Sequence, residues 1–374
     1  MGLGSIRRSP CQPWGGYTDE EVTLPGRRSS RRLLRSSAIA AAAASLLGVG
    51  LSVAVAAPQS HPARAASKLD DPKYVAIGDS FAAAGSIEPL DPTDEACGGR
   101  SLRNYPHQVA EAKGWDITDT SCNGATLKKG VWGSGRGGFW ESIDGGRTPA
   151  MIDEVNADTK YVTFQMGGND SGVSNAFLTC INDGTDRDFG GTGRGNDPQG
   201  TSCKDRSENG ERNYQFDIPG AQEEIQKALL EIHKRAPQAQ VAVVGYPAVI
   251  PQDVTRCNFY TDPIPFLRNG LGPVSHGDLA WLRGKFEAFN ASVEDTVTGL
   301  AAKEPNFAVT YVNTYDHFKG HEPCQPASPN RWIWPVPAPK TNPDYALWGA
   351  AHPNEYGHNE LGYLVSAALP IAKR

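Results

Sequence analysis

The chain has 374 residues and a net charge of −6, and the acidic excess grows when the N-terminal segment is set aside: residues 66–374 carry 28 basic and 39 acidic side chains, a net charge of −11. Such a surface argues against nucleic acid as a partner and favours solubility. The 309 residues from 66 onward suffice for one α/β domain with a large core, and none of their segments is apolar enough to cross a membrane.

Residues 1–65 read as an export signal and leader. The basic stretch Ser30-Arg31-Arg32-Leu33-Leu34-Arg35 is followed by an alanine-rich apolar run, Ala38 to Ala56. Small-residue cleavage patterns follow at Ala54-Val55-Ala56 and Ala63-Arg64-Ala65, which is the layout of a secretory signal. The paired arginines fit a twin-arginine type. The competing reading is a membrane anchor, since the apolar run is long enough to span. Alanine and glycine dominate it, however, and cleavage patterns come after it. The expectation is a secreted, monomeric protein with one domain over 66–374 and no stable membrane span after processing.

The mature chain alternates strand and helix signals. Strands are predicted at Tyr74–Ile77, Asp116–Thr120, Tyr161–Gln165, Gln240–Val244 and Phe307–Val312. Helices are predicted at Tyr105–Ala112, at Pro219–Arg235 with Ile225, Leu229 and Ile232 on one stripe, over a long and broken Leu279–Lys303, and at Gly357–Ala372. Strands alternating with helices imply a parallel sheet covered on both faces, with ligands bound beyond the carboxyl ends of the strands. Gly130 to Arg147 and Asn182 to Gly200 read as inserted loops. Gly133 to Gly138 matches a dinucleotide pattern but lacks the preceding strand, so it is read as loop. Asp183, Asp186, Asp188 and Asp197 depart from the spacing of a calcium loop and are read as solvated.

Apart from Cys11 in the leader, six cysteines remain: Cys97, Cys122, Cys180, Cys203, Cys257 and Cys324. An even number in an exported chain reads as three disulfides, for which sequence alone allows fifteen pairings. A bond closing Cys180 onto Cys203 would be local. The sequence has no Cys-x-x-Cys and no His-Glu-x-x-His, so no metal is expected, and no cofactor is called for.

Three polar motifs fall where the first three strands end: Gly78-Asp79-Ser80, Ser121-Cys122-Asn123-Gly124 and Gly167-Gly168-Asn169-Asp170. A serine hydroxyl needs a neighbouring base to act as a nucleophile. His352, in His352-Pro353-Asn354 just before the last helix, can supply it, while His358 reads as a cap or core contact. The backbone N–H groups of Ser80 and Gly124 and the side-chain amide of Asn169 are donors of the kind that hold an oxyanion. No serine has glycine at both −2 and +2, which removes the nucleophile elbow of the α/β-hydrolases.

In these motifs, their order and their strand contexts, the chain resembles the SGNH (GDSL-type) hydrolases, especially their secreted actinobacterial esterases and lipases. The resemblance covers most of residues 70–370. It implies a three-layer α/β/α sandwich with a central parallel sheet of about five strands. It also implies hydrolysis of carboxylic esters, lipid or short acyl, through a Ser80–His352 acyl-enzyme mechanism without a cofactor. Ser80, Gly124 and Asn169 would form the oxyanion hole, and the disulfides would run Cys97–Cys122, Cys180–Cys203 and Cys257–Cys324. One departure stands out. Many members place Asp three residues before the histidine, where this chain has Gly349, so a main-chain carbonyl at or beside Gly349 is expected to orient His352. Asp344 and Asp316 are the substitutes to weigh. Two other readings remain. One is an esterase of acetylated polysaccharide, with Trp132, Trp140, Trp332, Trp334 and Trp348 as sugar platforms. The other is a secreted binding protein with a retired site.

Overall fold

The computed structural model describes residues 72–93, 97, 99–127, 150–188, 199–257, 270–272, 274–325, 329–336 and 349–370, with the side chains of 182–188 left aside. They belong to one unit, Ala65–Arg374. The leader, the Gly130 to Arg147 stretch with its dinucleotide pattern, Asp197, Asp344, Trp132, Trp140 and Trp348 lie outside what is described, as do the side chains of Asp183, Asp186 and Asp188.

Five strands, β1 (Lys73–Gly78), β2 (Asp116–Asp119), β3 (Thr159–Gln165), β4 (Gln240–Val244) and β5 (Val309–Val312), form one sheet. Its order is β2-β1-β3-β4-β5 and every neighbouring pair is parallel. The inner strands are apolar on both faces, as in the buried run Tyr74, Val75, Ala76 and Ile77, which is what a sheet covered by helices on both sides requires. β5 begins two residues later than the sequence suggests. The Val309 N–H turns back onto the Phe307 carbonyl at 2.8 Å, so Phe307 packs in the core without joining the ladder.

The helices are α1 (Ser80–Ala83), α2 (Tyr105–Lys113), α3 (Val173–Asp188), α4 (Ser202–Glu208), α5 (Ile218–Arg235), α6 (His276–Lys303), α7 (Thr314–Phe318) and α8 (Glu355–Ala368). α2 packs on α8, and α6 packs on α3 and α5, giving a three-layer α/β/α sandwich. α5 is capped by Asp217, whose side chain accepts from the Gly220 N–H at 3.0 Å. It buries Ile225, Leu229 and Ile232 completely, each worth about 1.5–3 kcal/mol relative to exposure.

Two sequence expectations are corrected. The helix read as broken runs unbroken from His276 to Lys303. Its interior glycines, Gly284 and Gly299, stand in open space and each costs only about 1 kcal/mol relative to alanine. Leu279, Leu282, Phe286, Phe289, Val293, Val297 and Leu300 recur at helical spacing and are all buried, which outweighs that cost. The stretch read as a loop from Asn182 is still helical to Asp188, because α3 continues through it.

The strand order reverses between β1 and β3, the place where doubly wound sheets open a crevice at their carboxyl edge. Gly78 pairs with Gln165 at the last step of that register. The Asp79 N–H donates to the Gln165 carbonyl at 3.1 Å, and the Cys122 N–H to the Gly78 carbonyl at 3.0 Å. The three motifs therefore leave the sheet side by side.

Candidate active site

Ser80 opens the short helix α1 and Asp79 caps it, its carboxylate accepting from the Phe81 N–H at 3.0 Å. As the first helical residue, Ser80 has a backbone N–H with no intrahelical acceptor, and no other partner among the described residues takes it. Gly124, at φ 74°, turns its loop through the left-handed region that favours glycine. Its N–H also makes no hydrogen bond within the described chain. Asn169 donates one amide hydrogen to the Ala125 carbonyl at 2.8 Å, and a primary amide has a second hydrogen to give. Ser80, Gly124 and Asn169 line one pocket with His352.

The His352 Nε2 lies 2.8 Å from the Ser80 Oγ. The Nδ1 lies 2.9 Å from the carbonyl oxygen of Ala350. A carbonyl only accepts, so Nδ1 carries the proton and the Nε2 lone pair faces the serine hydroxyl. The orienting carbonyl thus belongs to Ala350, the residue after Gly349. The Gly349 carbonyl instead accepts the His352 backbone N–H at 3.0 Å. Burial pushes the imidazole down to about 4, with the Ala350 hydrogen bond opposing the shift. The free base is therefore the resting form.

The loop carrying His352 is pinned by residues 332–334. The Trp334 N–H donates to the His352 carbonyl at 2.8 Å, the Ala351 N–H to the Trp334 carbonyl at 3.1 Å, and the Asn354 N–H to the Trp332 carbonyl at 2.8 Å. Ala351 is held at φ 58°, a strained conformation for a residue with a Cβ. Asn354 then caps α8 by accepting from the Gly357 N–H at 3.0 Å. The Phe81 ring lies against the imidazole at 4.4 Å between centroids.

Asp316 is engaged by Asn313 and Lys319 and is more than half exposed, so it takes no part in holding His352. His358 is fully buried, and its Nδ1 accepts from the Tyr105 N–H at 3.2 Å, a core contact. His107, His276, His317 and His321 bond to Asn104, Cys257, Glu360 and Asn330 respectively. Trp332, a sugar platform only under the polysaccharide reading, has its indole stacked at 3.4 Å on the His321 ring and flanked by His317 and Phe318.

A partly open pocket lies beside Ser80. Beyond the polar donors its wall is Phe81, Phe177, Leu178, Val249 and Phe286, with Ser174 between them. Phe81 comes from α1, next to the first motif, while Ser174, Phe177 and Leu178 come from α3 and Phe286 from α6, where no motif marks them in the sequence. Tyr246 is a further residue that the sequence reading missed. It follows β4 by two residues, at the same carboxyl edge as the three motifs, and that position was the available signal. Among the described residues no group of three His, Cys, Asp or Glu side chains could hold a metal ion, and no helix is long and apolar enough to cross a membrane. The structure pairs Cys97 with Cys122, Cys180 with Cys203 and Cys257 with Cys324.

The sequence profile of the GDSL-like Lipase/Acylhydrolase family matches residues 76–359. The chain belongs to that family. Lipase 2 of Streptomyces coelicolor is 32% identical over 328 residues, 86% of this chain and 92% of the relative. A lipase of Streptomyces rimosus is 28% identical over 340 residues, 90% of this chain and 97% of its own length. A solved extracellular lipase from Streptomyces rimosus overlays with a TM-score of 0.48 at 24% identity, covering 79% of this chain and 98% of that one. This family member is a carboxylic ester hydrolase.

Proposed function

We propose that the protein is a secreted esterase or lipase in which Ser80 is the nucleophile, His352 the base, and Ser80, Gly124 and Asn169 the oxyanion hole. The observation that supports this most directly is the 2.8 Å approach of the Ser80 Oγ to the His352 Nε2 at the mouth of an apolar pocket. Attack of Oγ on the ester carbonyl passes the hydroxyl proton to Nε2. The carbonyl oxygen takes up negative charge and meets the two free N–H groups and the spare Asn169 hydrogen, which strengthen as charge develops. Collapse expels the alcohol, which takes the proton back from the imidazolium, and leaves an acyl group on Ser80. Water then repeats the sequence and frees the acid. Residues 1–65 would direct export, and the three disulfides suit an oxidising compartment.

The apolar wall favours a hydrocarbon acyl chain over acetyl. Each buried methylene is worth about 0.8 kcal/mol, so kcat/KM should rise roughly fourfold per methylene, about 15-fold from p-nitrophenyl acetate to the butyrate. The test measures acetate, butyrate and octanoate esters and an acetylated xylan, with Ser80→Ala as control. A Ser80→Ala protein that folds and still turns over would refute the assignment of the nucleophile. A preference for acetyl groups with no gain from chain length would favour the polysaccharide reading instead. Trp332 speaks against that second reading, since its ring is already stacked on His321.

A further inference from the structure

The Ser80 turn and the Asn169 loop leave different strands, yet an oxyanion hole needs their donors at a fixed spacing. One side chain bridges them. The Tyr246 hydroxyl sits 2.5 Å from the Asp79 Oδ2, and the Gly168 N–H donates to its oxygen at 2.9 Å. Asp79 immediately precedes Ser80, and Gly168 immediately precedes Asn169. Burial holds the phenol well above its ordinary value, so the hydroxyl keeps its proton and donates it to Asp79. Its oxygen stays free to accept. Burial likewise lifts the Asp79 carboxyl to about 7, and the Tyr246 hydrogen bond opposes this rise.

The bridge itself is rigidly held. The Tyr246 N–H donates to the Asn290 Oδ1 at 2.8 Å, which fixes its backbone to α6. Its ring meets Phe81 edge-on at 5.1 Å and Phe289 at 5.4 Å between centroids. A Cβ on Gly168 would stand 2.7 Å from the ring, so glycine there lets the loop close down on Tyr246. The remaining links join the second and third loops: Asn169 ties to the Ala125 carbonyl, and the Asp170 carboxylate accepts from the Leu127 N–H at 3.0 Å. The motif loops after β1, β2 and β3 are thus joined in one chain of hydrogen bonds, and Tyr246 is the member outside the three motifs.

We propose that Tyr246 is a positioning residue for the oxyanion hole, its hydroxyl setting the distance between the Ser80 and Asn169 donors by bonding Asp79 and Gly168 together. This rests on the reading of Ser80, Gly124 and Asn169 given above. Tyr246→Phe keeps the ring and its packing and deletes only the bridge. Misplacing a catalytic group by about 1 Å can cost on the order of a hundredfold, so kcat should fall roughly 10- to 100-fold with KM within about twofold of the parent. The inhibition constant of an alkyl trifluoromethyl ketone, whose adduct with Ser80 bears an oxyanion, should rise by the same factor.

A merely structural role would lower the melting temperature and the fraction of active protein, while leaving kcat per active site and the ketone affinity unchanged. That outcome overturns the proposal. Asp79→Asn, which keeps a side-chain acceptor for the Phe81 N–H, gives a second route should Tyr246→Phe fold poorly. The double variant should be no worse than the more impaired single one, because both changes act on the same connection, Asn putting an N–H donor where the Oδ2 acceptor of the Tyr246 hydroxyl stood. Additive losses would overturn the proposal. Ser80→Ala, assayed in parallel, separates the two claims. If it is inactive while Tyr246→Phe behaves as the parent, only the positioning role fails. If Ser80→Ala turns over, the reading of the site fails with it.

Discussion

The pH dependence of kcat/KM separates a histidine held by a carbonyl from one held by a carboxylate. A catalytic base works only when neutral, and the acid limb of kcat/KM reports its pKa in the free enzyme. A carboxylate partner would favour imidazolium and raise that value. Here the Nδ1 partner is the neutral Ala350 carbonyl, and burial lowers His352 to about 4. At pH 5.5 an imidazole of ordinary pKa is only about 9% neutral, whereas one at about 4 is about 97% neutral. Between pH 7.5 and 5.5 the protonation of His352 should therefore leave kcat/KM nearly flat, where an unshifted base would lose about tenfold.

Stability has to be kept apart from this readout. Burial pushes His352 to about 4 and His358 to about 3, so the unfolded chain binds more protons than the fold below pH 6.5. The two residues withdraw stability as pH falls from 6.5 toward those values. Asp79, raised to about 7, works the other way, because the fold favours its protonated form between about 7 and its ordinary range. The assay should hold enzyme at neutral pH, jump it into acid buffer and read initial rates on a butyrate ester. A limb at 6.5 or above that persists in Asp79→Asn, which removes the other group raised into this window, would refute the reasoning and imply a carboxylate on Nδ1. Asp344→Asn would then fall by about ten-thousandfold, whereas with a carbonyl partner Asp344→Asn and Asp316→Asn should each cost less than about tenfold.

Two further outcomes follow from the geometry. Asn169→Ala removes the proposed side-chain donor of the oxyanion hole and should lower kcat roughly a hundredfold or more with KM little changed, since such a donor is worth about 2.7–4 kcal/mol in the transition state. Steady-state kinetics check this, and a change confined to KM would make Asn169 an ordinary binding residue. The Cys257–Cys324 bond spans a sequence separation of 67, for which chain entropy predicts about 4 kcal/mol of stabilisation. Replacing both cysteines by serine should lower the calorimetric melting temperature by roughly 10 °C, and an unchanged melting temperature would rule out a stabilising role for this bond.

The parts of the fold that rest on local pattern were legible. Apolar runs such as Tyr74 to Ile77 mark strands buried on both faces, and the Ile225, Leu229 and Ile232 stripe marks a helix. The motifs at the strand ends could be placed on one rim because parallel sheets align their carboxyl ends. What sequence could not supply was the outcome of competition between local and tertiary terms. The sequence reads Leu279–Lys303 as broken, but the buried row from Leu279 to Leu300 carries the helix through its interior glycines, Gly284 and Gly299. Tyr246 was invisible for a different reason. A tyrosine after a strand is ordinary, and its meaning lies in a pair of hydrogen bonds to residues 167 and 78 positions away in the chain.

The departure at Gly349 shows how backbone can take over a side chain's task. A carboxylate partner orients imidazole through one hydrogen bond and also stabilises its charged form. A carbonyl performs the first task only if its own position is fixed. Here the Gly349 carbonyl binds the His352 N–H, Ala351 is held at φ 58°, and both sides of His352 are paired to Trp332 and Trp334. The Ala350 carbonyl therefore has little freedom to turn away from Nδ1. The second task is left undone, and a base at about 4 is the consequence: it is free to accept the Ser80 proton across the neutral and mildly acid range, but the imidazolium it forms is less stabilised. The Phe81 ring, 4.4 Å from the imidazole between centroids and itself in edge-on contact with Tyr246, gives that cation a π face to rest on.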